Sequence, residues 1–212
     1  MRFRQPLDTA LDSVAKIRIL RFLCRKGGEW SGRRIAAHLD MNPVTAHRAL
    51  RELHQATVLN FRKVGNNFIY SLRRDHYLVR NLFKPLFDQE AGAKDRLLEL
   101  FKQNLSTVER QCIITVAIYG SVARGEEHPT SDIDLLILVE SEQAKRQIQG
   151  ALDRFCERVV EDFWNFPSLY VNTLAEARRK IRRKLPLFQN ILRDKQVIWG
   201  KPLEEILHAK AA

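Results

Sequence analysis

The chemistry-bearing residues of this chain are concentrated in one stretch, YGSVARGEEHPTSDIDLLIL, which begins at Tyr119. From Ser131 to Val139 it reads as a strand, SDIDLLILV, apolar after its first four residues. Residues i and i+2 of a strand share a face. Asp132 and Asp134 therefore project together, while Ile133 and Leu135 turn toward a core. Two ionised carboxylates side by side repel one another and need a cation. Oxygen ligands suit Mg²⁺, which keeps several waters and shares substrate phosphates. Just upstream, IITVAIY (residues 113–119) reads as a buried strand stopped by Gly120-Ser121. Glycine lets backbone approach a phosphate closely. The Ser121 hydroxyl and nearby N–H groups can hydrogen-bond phosphate oxygens. Arg124 either neutralises a phosphate or fixes the loop, and Ser131 completes the candidate nucleotide-binding set. A metal held there polarises a phosphate oxygen.

A strand, a glycine–serine turn, then two aspartates two apart opening the next strand: this pattern resembles the signature of the polymerase-β-type nucleotidyltransferase superfamily. It is most similar to the minimal nucleotidyltransferases of bacteria and archaea. The resemblance implies an Mg²⁺-dependent site for a nucleoside triphosphate, with Asp132 and Asp134 as catalytic, metal-holding residues. Active members usually add a third carboxylate on a later strand. Here a helix over residues 143–160 precedes a strand over 168–173, SLYVNT, and the matching position is read as Asn172. An amide ligates metal weakly and cannot act as a base. Glu161 and Asp162 read as a helix end. The site then either binds Mg²⁺-nucleotide without efficient transfer, or borrows a ligand from substrate or a partner subunit. Related minimal nucleotidyltransferases act in toxin–antitoxin pairs by adenylylating a partner protein, so the resemblance admits a protein partner.

The elements in front have a different character. Residues 11–25 read as a helix with Val14, Ile17, Leu20, Phe22 and Leu23 on its apolar face, stopped by Gly27-Gly28. Ser31 can cap a short helix over 32–39, facing inward with Ile35, Ala36 and Leu39. After Asp40-Met41, Asn42 can cap a third helix with Pro43 at its first position. That helix runs to about Gln55, with Val44, Ala46, Leu50 and Leu53 expected as its buried face. Residues 58–64 and 68–72 then read as two strands joined by a turn at Gly65-Asn66-Asn67. A helix-turn-helix followed directly by a β-hairpin is similar to the winged helix of MarR/ArsR-type transcription regulators. The resemblance covers about residues 11–75. It implies that the third helix enters a major groove with its N-terminal part, offering Asn42, Thr45, His47, Arg48 and Arg51. Ser31, Arg33 and Arg34 would meet phosphates, and Arg62 and Lys63 would lie on the wing. The competing readings are a solvated basic face and a protein-docking module.

Charge follows this division. The net charge is +11. Residues 1–90 hold 17 Lys+Arg against 8 Asp+Glu, and residues 91–212 hold 19 against 17. The excess belongs to the first part, which would attract polyanions such as double-stranded DNA. The run RRKIRRK (residues 178–184) is either a phosphate-binding or a solvated helix face. Residues 77–83 read as a packed helix and residues 93–110 as an amphipathic one, with Leu97, Leu98, Phe101, Leu105 and Val108 on its apolar face. Cys24, Cys112 and Cys156 match no zinc or disulfide spacing, and no apolar run spans a membrane. A reduced, cytoplasmic setting is expected. The expected architecture is α+β: a winged helix of three helices plus a β-hairpin (residues 1–90), followed by an α/β nucleotidyltransferase-fold domain with a small mixed sheet (residues 91–212). The expected function is a DNA-binding transcriptional regulator whose second domain binds Mg²⁺-nucleotide, working as a homodimer. The alternative is an active nucleotidyltransferase that moves a nucleoside monophosphate to a protein, small-molecule or nucleic-acid hydroxyl.

Overall fold

Caps and chain breaks set the first elements. After a single turn, α1 (Leu7–Ala10), the Ser13 hydroxyl accepts the Lys16 N–H and starts α2 (Val14–Lys26), which Gly27 ends at φ +62°. A two-residue strand, β1 (Trp30–Ser31), leads into α3 (Gly32–His38). Asn42 Oδ1 accepts the N–H groups of Val44 and Thr45 and opens α4 (Pro43–Gln55). Strands β2 (Leu59–Val64) and β3 (Asn67–Leu72) form an antiparallel hairpin, and β1 adds to the far side of β3. A π-helical turn (Val79–Phe83) runs directly into α5 (Lys84–Ala91). The core gathers Ile19, Leu20 and Leu23 from α2, Ile35 from α3, Leu50 and Leu53 from α4, Tyr70 from the wing, and Phe83 and Phe87 from the last helical stretch.

This computed structural model describes residues 4–208. It divides into two compact units, Met1–Ala93 and Lys94–Ala212. Two expectations for the first unit are corrected. Val44 is 77% exposed, because the buried stripe of α4 is Ala46, Ala49, Leu50 and Leu53, and Val44 lies about 200° around the helix from Ala46. Val14, the first residue of α2, precedes the buried stripe and is likewise exposed.

The second unit opens with α6 (Ala93–Asn104) and α7 (Thr107–Gln111) in place of the single helix expected over 93–110. Ser106 interrupts it by capping α7 reciprocally with Glu109, so the helical phase is lost and Val108 faces solvent. Then follow β4 (Ile113–Ile118), α8 (Gly120–Arg124), β5 (Ile133–Val139), α9 (Glu142–Phe163), β6 (Pro167–Thr173), α10 (Leu174–Arg182), α11 (Pro186–Asp194), β7 (Gln196–Gly200) and α12 (Leu203–His208). The sheet order is β6-β5-β4-β7. Helix α9 is the crossover between parallel β5 and β6, and the other pairs are antiparallel, so the sheet is mixed. One face packs on α6 and α9 through Leu97, Phe101, Ile118, Leu135, Ile137 and Phe155. The other packs on α10 and α11 through Leu136, Leu138, Ala177, Phe188 and Ile191. No described helix is long and apolar enough to cross a membrane.

Candidate functional site

Strand β5 is buried on both faces along most of its length and opens only at its start. Its even-numbered residues Leu136 and Leu138 lie under α10 and α11. Asp134 and Asp132 continue that face to the strand's free end, Asp134 half-buried and Asp132 exposed. Ile133 and Leu135 join the opposite core. The fold thus puts both carboxylates at the start of β5, Asp134 as its second residue and Asp132 just before it.

The glycine–serine turn lies directly against this pair. The Tyr119 N–H donates to the Asp134 carbonyl at 3.0 Å. Gly120 follows at φ +71°, and a Cβ built there would stand 2.3 Å from Asp134 Oδ2. Only glycine combines that backbone angle with so close an approach. Burial and then the charge of Asp132 push the Asp134 carboxyl above its ordinary range, while a hydrogen bond from Ser168 and the Arg124 charge pull it down. The carboxylate pair thus retains mutual repulsion, which suits a hard cation. Burial first, then the neighbouring Asp134 and Tyr170, push the Tyr119 phenol up to about 12.

Arg124 and Ser131 hold the loop. Arg124 donates to Glu126 at 2.6 Å and to Asp194 at 2.9 Å, tying the end of α8 to the end of α11. The Asp194 carboxyl is held down at about 2, by Arg193 first and also by Arg124. Of the two roles open to Arg124 in the sequence, loop anchoring is the one seen here. The Ser131 hydroxyl accepts the His128 N–H at 2.9 Å, and the Ser131 N–H returns to the His128 carbonyl. The Asn165 amide donates to the carbonyls of Pro129 and Ser131, fixing the approach to Asp132. Ser121 is half-buried, and its carbonyl accepts the Glu126 N–H.

The expected third position is corrected. In the β5–β6 register Asp134 pairs with Ser168, while Asn172 pairs with Leu138. Asn172 is therefore four residues, about 13 Å, along the strand from the site. It is buried, accepts from Lys180 Nζ and donates to the Tyr170 carbonyl. Ser168, exposed beside Asp134, holds the place where a third ligand would fall. Strand identity was readable in the sequence; this register was not, because α9 sets the phase of the parallel pair. Glu161 and Asp162 lie within α9, paired with Arg158 and Arg96. Among the described residues no group of three or more His, Cys, Asp or Glu side chains is arranged to hold a metal. The set is two carboxylates, leaving other positions for water and phosphate oxygens, the pattern Mg²⁺ favours.

In the first unit, the structure separates the ten candidate nucleic-acid contacts into two groups. Ser31 and Asn42 spend their side chains as helix caps. Arg48 pairs with Glu52 at 2.9 Å, and Arg62 pairs with Glu29. Glu52 also reaches the buried Lys16 at 2.9 Å, and Lys16 meets Asp12 at the same distance. Arg33, Arg34, Thr45, His47, Arg51 and Lys63 are exposed, and the charged ones among them join no ion pair among the described residues. The His47 ring lies 5.7 Å from Phe68 of the wing, and Phe61 bridges Phe68 and Tyr70 at 5.4 Å each. The His47–Phe68 contact joins α4 to the hairpin. They and the Lys16–Glu52 pair were missed in the sequence, because each joins residues from separate elements.

Residues 94–189 match the family model described as the nucleotidyltransferase domain. A bifunctional uridylyltransferase/uridylyl-removing enzyme of Pseudomonas putida is 28% identical over 122 residues, which cover 58% of this chain and 13% of that enzyme. This chain thus spans a small part of that relative's length. HlyU from Vibrio cholerae N16961 superimposes with a TM-score of 0.36 at 20% identity, over 41% of this chain and 89% of HlyU. A toxin–antitoxin crystal structure with AMP-PNP gives a TM-score of 0.34 at 16% identity, over 54% of this chain and 81% of that one. The protein joins an N-terminal helix-turn-helix with a β-hairpin wing to a second unit that matches the nucleotidyltransferase domain over residues 94–189.

Proposed function

We propose that the second domain binds a nucleoside triphosphate with Mg²⁺ and transfers its nucleoside monophosphate to an acceptor hydroxyl, and that the first domain places this chemistry on double-stranded DNA. The observation that carries the transfer reading is the same-face pair Asp132 and Asp134 with the Gly120 backbone packed against Asp134. Asp132 and Asp134 would hold the cation. Gly120 and Ser121 would lie along the phosphates, with Arg124 and Ser131 keeping the loop in place. Bound Mg²⁺ would polarise the phosphates and acidify an attacking hydroxyl. Domain limits of 1–90 and 91–212 belong to this reading, as do a homodimeric assembly and an acceptor on a protein, a small molecule or a nucleic acid.

Ser168 favours a second reading. A hydroxyl cannot take the acceptor's proton as a carboxylate can. The domain would then act as a Mg²⁺-nucleotide sensor that modulates a DNA-bound regulator. For DNA, the helix α4 residues Thr45, His47 and Arg51 would face base edges, with Arg33 and Arg34 on phosphates and Lys63 on the wing.

The test is calorimetric titration of each nucleoside triphosphate, with and without Mg²⁺, against the protein and the double variant Asp132→Asn, Asp134→Asn. The expected result is Mg²⁺-dependent binding that the variant loses. Pyrophosphate release on adding candidate acceptors separates transfer from sensing. Absence of nucleotide binding by the unmodified protein overturns both readings of the second domain.

A further inference from the structure

The two most exposed aromatic rings among the described residues lie in the short connection from α9 to β6, whose last residue before β6 adjoins Asp132. Trp164 is 87% exposed and Phe166 is 68% exposed. Their backbone is tightly held. Trp164 closes α9 at φ +57°, with its N–H on the Val160 carbonyl at 3.0 Å. Helices usually place glycine or asparagine at such a left-handed position, so a tryptophan there is strained as well as exposed. Asn165 is pinned to the carbonyls of Pro129 and Ser131. The Phe166 carbonyl accepts the N–H of Ile133, between the two aspartates, at 2.8 Å. Ile133 pairs with Pro167, so Phe166 lies next to Asp132. Strand alternation gives it the face shared by Ser168 and Asp134. Solvent-exposed rings on a rigid frame are a common mark of ligand recognition.

The order β6-β5-β4 sets where the parts of a nucleotide would fall. Gly120-Ser121 lies on the β4 side, the aspartates lie in the middle, and the two rings lie on the β6 side. A triphosphate running along the glycine–serine turn brings its α-phosphate to the carboxylates. One ribose further, the base would lie toward the β6 side of this row.

We propose that Phe166 and Trp164 form the stacking platform for the base of the nucleotide whose phosphates are held at Gly120, Ser121, Asp132 and Asp134. This rests on the nucleotide reading of the site. It makes base recognition a matter of ring stacking, tolerant of base identity because every base has a π-face.

The full-length protein is titrated in Mg²⁺ with each of the four nucleoside triphosphates and, separately, with inorganic tripolyphosphate, following heat and tryptophan fluorescence. At least one nucleotide is expected to quench fluorescence, and tripolyphosphate to bind without quenching. The variant Trp164→Ala, Phe166→Ala is expected to lose about tenfold in nucleotide affinity, the scale of one base–ring stack, and to keep its affinity for tripolyphosphate. Trp164→Phe should restore most of the loss. Nucleotide binding unchanged in the double variant overturns the platform, as does a parallel loss of tripolyphosphate binding. If the unmodified protein binds neither probe, the nucleotide site itself is overturned and the platform with it.

Discussion

Ser168 decides how far the carboxylate pair can go. In the proposed transfer a third carboxylate would take the acceptor's proton, and the β5–β6 register puts Ser168 at the strand position beside Asp134. Ser168→Asp is expected to tighten Mg²⁺ binding in the presence of nucleotide by about tenfold, since it adds a hard oxygen ligand beside Asp134. Asn172→Asp is expected to leave Mg²⁺ affinity unchanged and to lower stability, because the amide N–H that donates to the Tyr170 carbonyl becomes a carboxylate oxygen facing it, although Lys180 still pairs with the other oxygen. Isothermal titration with Mg²⁺ alongside thermal unfolding checks both. Equal Mg²⁺ affinity in Ser168→Asp and the unmodified protein would refute the register argument. The residue type at 172 suggested an amide in the site; only the strand pairing showed which side chain stands beside Asp134.

Helix α4 carries two predictions. Its outward residues differ in what they are free to do. Arg51 joins no ion pair among the described residues, whereas Arg62 on the wing is paired with Glu29. Arg51→Ala should weaken DNA binding about tenfold and reduce the salt slope by about one, while Arg62→Ala should have a smaller effect on both. Fluorescence anisotropy at two salt concentrations measures this, and an Arg51→Ala variant indistinguishable from the parent would refute that placement of α4. The second prediction concerns how α4 is anchored. A hydrogen bond from Lys16, then one from Arg48, hold the Glu52 carboxyl at about 2, below its ordinary 4.5. A depressed carboxyl contributes stability that is complete above its unfolded value and is lost as pH falls through its folded value. The first domain should therefore lose stability between about pH 4.5 and pH 2. Glu52→Gln should flatten that slope in a series of thermal melts, and a slope unchanged by the substitution would show that other carboxylates govern it.

At the scale of the whole molecule, each unit has its own core. The winged-helix core is built from α2, α3, α4 and the last helical stretch, and the second unit packs both faces of its sheet. Two calorimetric transitions are expected. Leu50→Ala should cost about 2–5 kcal/mol and Phe155→Ala about 3–5 kcal/mol, each lowering one transition and sparing the other. A single transition moved by both substitutions would show that the units unfold as one.

The sequence alone determined most of the element order, the paired aspartates and the winged-helix pattern. These depend on local physics: alternation along a strand, glycine and proline at chain breaks, caps before helices. It also read Gly120 as a turn where backbone approaches a phosphate, though not that the Asp134 carboxylate fills the space a side chain would need there. The tertiary structure alone decided the rest. A parallel pair has no hairpin turn to fix its phase, so the exchange of Asn172 for Ser168 emerged only when α9 was seen to deliver β6. Ion pairs such as Lys16 with Glu52 and Arg124 with Asp194 join residues 36 and 70 positions apart. Nothing in the local sequence reports them, because long-range packing determines which charges meet.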